Sequence, residues 1–212
     1  MLTNIPSNLV VLGLGFLLGL RHALDPDHIV AVTTFVGTER QLRRACKVGL
    51  YWGLGHTIAL AIAGLFVVGL RIPMSKWPAE RLELAVGFML IVLGARLIAT
   101  VHAHWHEHHR HSMPDVGIRP LFVGVVHGTA GSAALTLLVL TTISSTANGL
   151  LYILTFGIGT MLGMLAVSVM LALPLRFAIE RFGVVLRPIQ LSAGVLSCAF
   201  GIYVATTVWL TL

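Results

Sequence analysis

Five ionisable side chains stand within eight consecutive positions of an otherwise apolar stretch: Arg21, His22, Asp25, Asp27 and His28. Inside a membrane-spanning segment a charged residue costs roughly 2.5–3.5 kcal/mol, so it normally marks a functional site. Imidazole nitrogens and carboxylate oxygens together suit divalent nickel, cobalt, zinc or manganese, and no cysteine stands nearby to favour copper(I). The sequence therefore predicts a site for a divalent transition-metal ion.

The spacing of these residues requires a break in the helix that carries them. In a regular helix His22 and Asp25 lie about 60° apart around the axis, whereas Asp27 is turned about 140° from His22. Pro26 removes one backbone hydrogen bond and its ring clashes with the carbonyl of His22. We therefore expect the helix to be broken at Asp25-Pro26, which lets Asp27 and His28 turn toward His22.

Asp25 has two interpretations. It stands four residues after Arg21, so the two side chains can form a structural ion pair on one helix face. Alternatively, its carboxylate is a further metal ligand beside His22.

Two more histidines lie in other apolar runs. His56 follows two glycines that let another helix approach closely, so it is either a ligand or an interhelical hydrogen-bonding residue. His127 stands among small and hydroxyl residues, and it is either a further donor or a partner of Thr129 or Ser132. The candidate metal ligands are accordingly His22, Asp27, His28, His56, Asp25 and His127.

The elements that must position these residues are membrane helices. Of the 212 residues, 57% are hydrophobic and 10% are charged, with a mean hydropathy of +0.92, which excludes a water-soluble globular enzyme. Runs of about 20 apolar residues span a bilayer as helix. The apolar runs are Leu9–Leu24, extended by Ile29–Val36, then Val48–Leu70, Leu82–Val101, Leu121–Ile143, Leu150–Leu173 and Ile189–Leu212. We predict an all-α polytopic membrane protein, one membrane domain over residues 1–212 with six transmembrane helices.

Basic residues between the runs predict the orientation. The first, third and fifth loops carry nine of them and the second and fourth loops carry three, which places the odd loops in the cytoplasm. Both termini then lie on the non-cytoplasmic side of a bacterial or archaeal plasma membrane. The net charge of +6 is scattered over the loops, so no nucleic-acid partner is expected. The expected partners are a metal ion, the lipid bilayer and possible further copies of the chain in a homo-oligomer.

The two halves of the chain resemble each other. Short patterns recur in the same order: Gly19 to Ala23 matches Gly124 to Gly128, Trp52 to His56 matches Phe156 to Thr160, and Leu84, Gly87 and Gly94 match Leu191, Gly194 and Gly201. We interpret residues 8–101 and 119–212 as two three-span repeats. An odd number of spans makes the second repeat inverted relative to the first, as in many transporters. The alternative is ordinary packing of membrane helices through small residues.

A histidine-rich loop over residues 102–118 separates the two halves. It contains His102, His104, His106, His108, His109 and His111. Such tracts bind metal ions with loose geometry, so this one is expected to capture or buffer ions rather than select them. The alternative is a solvated linker.

Two motifs resemble those of a known family. The segment from Arg21 to His28, with a histidine, four residues and then Asp-His, resembles the signature of the nickel/cobalt transporter family, and Leu54-Gly55-His56-Thr57 resembles its second motif. Typical uptake members have eight spans and a Phe-Asp-Thr-type motif where this chain has Val126-His127-Gly128-Thr129-Ala130. The chain resembles more closely the shorter, six-span branch of urease-accessory-like and nickel-efflux-like proteins.

The resemblance implies a transporter rather than an enzyme. Its substrate would be Ni²⁺ or Co²⁺, with no permanently bound cofactor, handled by His22, Asp27, His28 and His56. The sequence contains no phosphate-binding Gly-rich lysine motif, so it gives no indication of ATP hydrolysis. Two alternatives stay open: a secondary transporter of a small organic solute with histidines as proton relay, and a membrane metalloenzyme using the same cluster.

Overall fold

The computed structural model describes residues 7–36, 41–70, 76–103, 117–129, 140, 143, 145–182 and 186–211. Within these ranges the chain forms seven α-helices and no strand. The helices are α1 (Ser7–His22), α2 (Pro26–Val36), α3 (Leu42–Leu70), α4 (Lys76–Ala103), α5 (Arg119–Gly128), α6 (Thr146–Phe182) and α7 (Leu186–Trp209). The all-α class predicted from the sequence is confirmed for this part of the chain.

The first predicted span is broken at Pro26. α1 ends at His22, α2 begins at Pro26, and the two helix axes are bent by 57°. Proline is tolerated at the start of α2 because the first helical residues have no intrahelical partner for an amide hydrogen. The Asp25 carbonyl accepts hydrogen bonds from the amides of His28 and Ile29, at 3.0 and 3.2 Å, which starts the second helix. The predicted break is confirmed.

Four of the described helices contain segments long and apolar enough to cross a bilayer, and the bent pair α1 and α2 makes a fifth if it is one span. The four segments are Leu42–Phe66, Glu80–Ala103, Thr146–Arg181 and Arg187–Trp209. The expected fourth span, Leu121–Ile143, begins inside α5, and most of its remainder lies outside the described residues. The number of six spans stays a prediction.

The outward surfaces of these helices are apolar. Leu17, Phe88 and Met170 each expose more than 60% of their side-chain surface, on three different helices. Exposed apolar surface on this scale is typical of contact with lipid rather than with water. The chain is an integral membrane protein.

α6 is much longer than the fifth apolar run predicts. It has 37 residues and continues through Pro174 to Phe182, whereas the sequence predicts a span over Leu150–Leu173. Beyond that run Arg176 donates from Nε to Oε1 of Glu180 at 2.7 Å, one helical turn away. α6 therefore continues past the end of the apolar run. Arg176 and Arg181, two of the nine basic residues counted in the odd loops, lie in this helix and not in a loop.

α2 lies between two groups of helices. α6 packs along α1 and α3, and α3 packs along α5; α4 and α7 pack along each other. α2 contacts α3, α4, α6 and α7. The largest buried apolar cluster accordingly joins Ala31 and Val32 of α2 to Trp52, Leu90 and Met164 of three other helices.

Glycines bring the helices into direct backbone contact. Between α4 and α7, Gly87 faces Gly201 and Gly94 faces Gly194, so that a methyl group at Gly94 would lie 2.7 Å from the Cys198 sulfur. Small residues at such interfaces allow the close van der Waals packing on which association of membrane helices depends.

The contact between α1 and α6 predicts a difference between two glycine substitutions. A methyl group at Gly19 would lie 2.9 Å from the backbone nitrogen of Thr160, whereas one at Gly13 meets no described atom within 4 Å. We expect Gly19→Ala to lower the free energy of unfolding by about 1–3 kcal/mol, since backbone cannot move aside easily. Gly13→Ala is the matched control and should not lower stability, since alanine is the better helix former. Unfolding in detergent micelles by increasing SDS measures both, and equal stability of the two variants would contradict this packing.

Candidate metal centre

Four buried histidines converge where the first span is broken. His22 is the last residue of α1, His28 lies in the first turn of α2, His56 lies in α3, and His127 lies near the end of α5. His28, His56 and His127 have no exposed surface and His22 has 6%. The 57° bend allows this convergence, because a straight helix would point Asp27 away from His22.

The first group consists of His22, His28 and His56. The Nε2 atoms of His22 and His56 lie 3.0 Å apart, and one ring nitrogen of each of the three residues lies within 4.8 Å of the others. Nε2 of His28 has no hydrogen-bond partner among the described residues. Imidazole nitrogens bind a first-row ion such as zinc at about 2.0–2.1 Å, so two ligands of one ion lie about 3 Å apart. The spacing fits three nitrogens converging on one ion.

The side chain of Asp27 links His28 of α2 to His127 of α5. Its Oδ1 accepts a hydrogen bond from the backbone amide of His28 at 2.9 Å and lies 3.1 Å from Nδ1 of the same residue. Its Oδ2 lies 2.8 Å from Nε2 of His127. Asp27, His28 and His127 form a second group whose possible ligand atoms all lie within 4.8 Å of one another.

Asp25 contacts the first group rather than Arg21. Its Oδ2 lies 2.9 Å from Nδ1 of His22. The side chain of Arg21 is exposed and forms no ion pair with Asp25, so the interpretation as an Arg21–Asp25 pair is wrong. The physical reason is the end of α1 at His22, which lets Asp25 fold back on His22.

The two carboxylates set the orientation of two imidazole rings. With Nδ1–H of His22 donating to Asp25, and Nδ1–H of His28 donating to Asp27, each ring has its lone pair on Nε2. That of His28 has no partner among the described residues, and that of His22 faces Nε2 of His56 at 3.0 Å. Carboxylates commonly hold metal-binding histidines in this way, fixing the tautomer and raising the basicity of the ligand nitrogen. The hydrogen-bond geometry therefore favours Nε2 as the ligand atom of both residues.

Aromatic side chains surround the imidazoles. The ring of Trp52 lies 6.1 Å from that of His28 and 5.8 Å from that of His127, and Phe156 lies 5.4 Å from His22. Such apolar walls exclude water and strengthen electrostatic interactions inside the site. Trp52 was not among the site residues predicted from the sequence, although it stands four residues before His56, one helical turn away.

The structure brings together all six candidate residues. Of the two alternative partners of His127, Thr129 donates its hydroxyl to the carbonyl of Val126 instead, at 2.8 Å, and Ser132 lies outside the described residues. The histidine-rich loop lies largely outside the described residues, and of its six histidines His102 is described, exposed, near the end of α4.

The chain matches one protein-family model over most of its length. Residues 8–173 match the model of the NicO family, described as high-affinity nickel-transport protein. The chain is 37% identical over 206 residues to the urease accessory protein UreH of Bacillus sp. (strain TB-90), covering 92% of this chain and 90% of that protein.

Two further relatives have names that refer to metal transport. The putative nickel/cobalt efflux system MJ1092 of Methanocaldococcus jannaschii is 26% identical over 156 residues, covering 73% of this chain and 72% of that protein. The nickel transporter NixA of Staphylococcus aureus is 32% identical over 100 residues, covering 40% of this chain and 28% of that protein. No solved structure matches the chain.

The contacts of Asp27 predict that its charge stabilises the protein without any metal. An asparagine presents one oxygen and one N–H₂ group, so Asp27→Asn cannot accept hydrogen bonds from both His28 and His127. We expect metal-free Asp27→Asn protein to lose about 1–3 kcal/mol of unfolding free energy, the cost of an unsatisfied buried polar group.

Glu180→Gln provides the matched carboxylate control. Glu180 is 62% exposed and paired with Arg176 on the surface of α6, where an ion pair contributes about 0–1 kcal/mol. SDS-induced unfolding in the presence of a chelator compares the two variants. Equal stability of Asp27→Asn and the wild-type protein would contradict the hydrogen bonding described for Asp27.

Proposed function

Because the chain belongs to the NicO family of nickel-transport proteins, we propose that it carries a divalent transition-metal ion, Ni²⁺ or Co²⁺, across a membrane. The family is one of transporters, not enzymes. The ion is the substrate, and no permanently bound cofactor is needed. The single observation that carries the proposal is the cluster of buried imidazoles at the break between α1 and α2.

The ion binds to Nε2 of His22, His28 and His56. Three imidazole nitrogens favour ions such as nickel, cobalt or zinc over magnesium and calcium, which prefer oxygen ligands. A dication in an apolar interior also needs nearby negative charge. Asp25 and Asp27 supply two carboxylates, each within 3.1 Å of the Nδ1 atom of a ligand ring. The centre can therefore hold a dication without a large unbalanced charge.

The chain consists of two inverted three-span repeats, residues 8–101 and 119–212. Mirrored glycine contacts support this. Gly19 of α1 lies against Phe156 and Thr160 of α6, and its counterpart Gly124 of α5 lies against Trp52 and His56 of α3. Trp52 and His56 are the counterparts of Phe156 and Thr160 in the sequence repeat.

The relative directions of the helices support the inversion. Contacts between α1 and α6 advance together along both helices, so these run parallel, as do α3 and α5. Contacts between α3 and α6 advance in opposite directions, as Gly49 meets Met164 and Gly64 meets Ile153. It follows that α1 and α5, the first helices of the two repeats, run in opposite directions.

In this proposed arrangement the ion lies between the repeats, inside the membrane. His22, His28 and His56 belong to the first repeat, and His127 belongs to the second. Movement of one repeat against the other would expose such a site to each side in turn. With six spans, both termini lie on the non-cytoplasmic side of a bacterial or archaeal plasma membrane, and the histidine-rich loop lies on the cytoplasmic side.

Removal of a metal ligand should weaken Ni²⁺ binding more than removal of a carboxylate that orients a ligand ring. We expect His22→Gln and His56→Gln each to weaken Ni²⁺ binding by more than the roughly 10–100-fold expected for Asp25→Asn. Isothermal titration of purified protein with Ni²⁺ measures the affinities, and uptake into metal-free proteoliposomes measures transport. Wild-type affinity and flux in both histidine variants would refute this site.

The orientation can be tested with single cysteines. In a chain with Cys46→Ser and Cys198→Ser, an impermeant thiol reagent should label Ser145→Cys in intact cells. It should label Ser112→Cys, in the histidine-rich loop, only after the cells are permeabilised. The reverse pattern would show that the loop is outside, and labelling of both positions in intact cells would contradict an odd number of spans between them.

A further inference from the structure

We propose that the centre contains a second cation position, formed by Asp27, His28 and His127, which the ion occupies after or before the position formed by His22, His28 and His56. The inference rests on the proposed function, since the ion is the transported substrate. The second position connects the first repeat, which supplies Asp27 and His28, to the second repeat, which supplies His127.

The geometry of the second group suits a metal ion. Two imidazoles and one carboxylate present ligand atoms within 4.8 Å of one another. Both imidazoles have no exposed surface, and Asp27 lies 2.8 Å from Nε2 of His127 and 3.1 Å from Nδ1 of His28. Two nitrogens and one oxygen form a familiar donor set for first-row divalent ions.

Only one ring nitrogen of His127 takes part in the hydrogen bond to Asp27. Its Nδ1 is buried and has no hydrogen-bond partner among the described residues. A buried polar atom without a partner is uncommon and needs an explanation. With Nε2–H donating to Asp27, the lone pair on Nδ1 is available to a metal ion without the loss of any described interaction.

His28 is shared by the two positions and lies at the middle of the cluster. Its ring lies 4.8 Å from that of His22, 5.3 Å from that of His56 and 4.1 Å from that of His127. In the first position its Nε2 binds the ion while Nδ1–H donates to Asp27. In the second position Nδ1 binds the ion in the other neutral tautomer, so exchange between the positions requires one proton to leave Nδ1 and one to be taken up by Nε2, both exchanged with water.

Sharing one ring makes the two positions mutually exclusive. A neutral imidazole has a single nitrogen lone pair available, because the other nitrogen carries the hydrogen. One ion is therefore bound at a time, and it passes across His28 from three nitrogen ligands to a set that includes a carboxylate. In the second position the ion gains a ligand from the second repeat, His127, while Asp27 and His28 keep it attached to the first repeat.

A pair of substitutions at His127 distinguishes a ligand from a structural residue. Glutamine can place an N–H near the position of Nε2 and keep the hydrogen bond to Asp27, but it is a poor metal ligand. Alanine removes both functions. If His127 only holds Asp27 in place, His127→Gln should transport like the wild-type protein and His127→Ala should not. If His127 is a ligand of the second position, both variants should be defective in transport.

The experiment measures equilibrium binding of Ni²⁺ to purified protein and Ni²⁺ flux into proteoliposomes for the same variants. We expect His127→Gln to keep an affinity within about threefold of wild type, because the first position is intact, and to lose flux by about tenfold or more. His56→Gln should retain weaker binding at the second position, and the double variant His56→Gln/His127→Gln should lose that residual binding. Monodisperse elution in detergent checks that each variant is folded.

The possible results separate the two proposals. Wild-type flux in His127→Gln would overturn the second position, and so would a loss of affinity as large as that of His56→Gln, which would indicate a single site. Both results leave the first position and the proposed function intact. Absence of Ni²⁺ and Co²⁺ binding and flux in the wild-type protein would instead refute the proposed function, and the second position with it.

Discussion

The hydrogen bonds of the Asp27 carboxylate are the interaction on which the centre depends. This carboxylate links the start of α2 to α5 by contacting His28 on one oxygen and His127 on the other. Each of these imidazoles is fully buried, and an unpaired buried polar group costs about 1–3 kcal/mol. The carboxylate is itself stabilised by its place in the first turn of α2, where the helix dipole favours negative charge. The break at Pro26 makes this place available.

The close packing of the helices keeps the cluster in position. Glycines at the contacts of α1 with α6 and of α3 with α6 let the helices approach closely, which fixes the depth of His22 and His56 relative to each other. Trp52 fills the space between α3 and α2 and contacts the ring of His28. Water-soluble proteins obtain such order from hydrophobic burial. In a bilayer, where lipid is as apolar as the core, shape complementarity takes that role.

In the proposed site the donor atoms would determine which ions bind, but they would not determine the direction of transport. Imidazole nitrogens distinguish nickel and cobalt from the abundant hard cations in either direction, because the ligand set is the same whichever side the site faces. Relatives of this chain accordingly carry names that refer both to transport and to efflux of nickel. Such discrimination needs fixed ligand geometry, which packed helices supply.

The sequence by itself determined the helical membrane class, the break at Pro26 and the residue types of the centre. Apolar runs of this length can satisfy their backbone only as helices, and proline cannot continue a helix unchanged. All six residues of the cluster could be identified from the sequence, because ionisable residues are rare in apolar runs.

Only the tertiary structure decided how those side chains are paired. Asp25 and Arg21 are four residues apart and suited to an ion pair, yet Asp25 turns to His22 because α1 ends there. His127 stands 100 residues after Asp27 and reaches it through the packing of α5 on α3. Local spacing cannot reveal such contacts, since the distance between two side chains on different helices depends on how closely the backbones approach. In this protein the glycines set that approach.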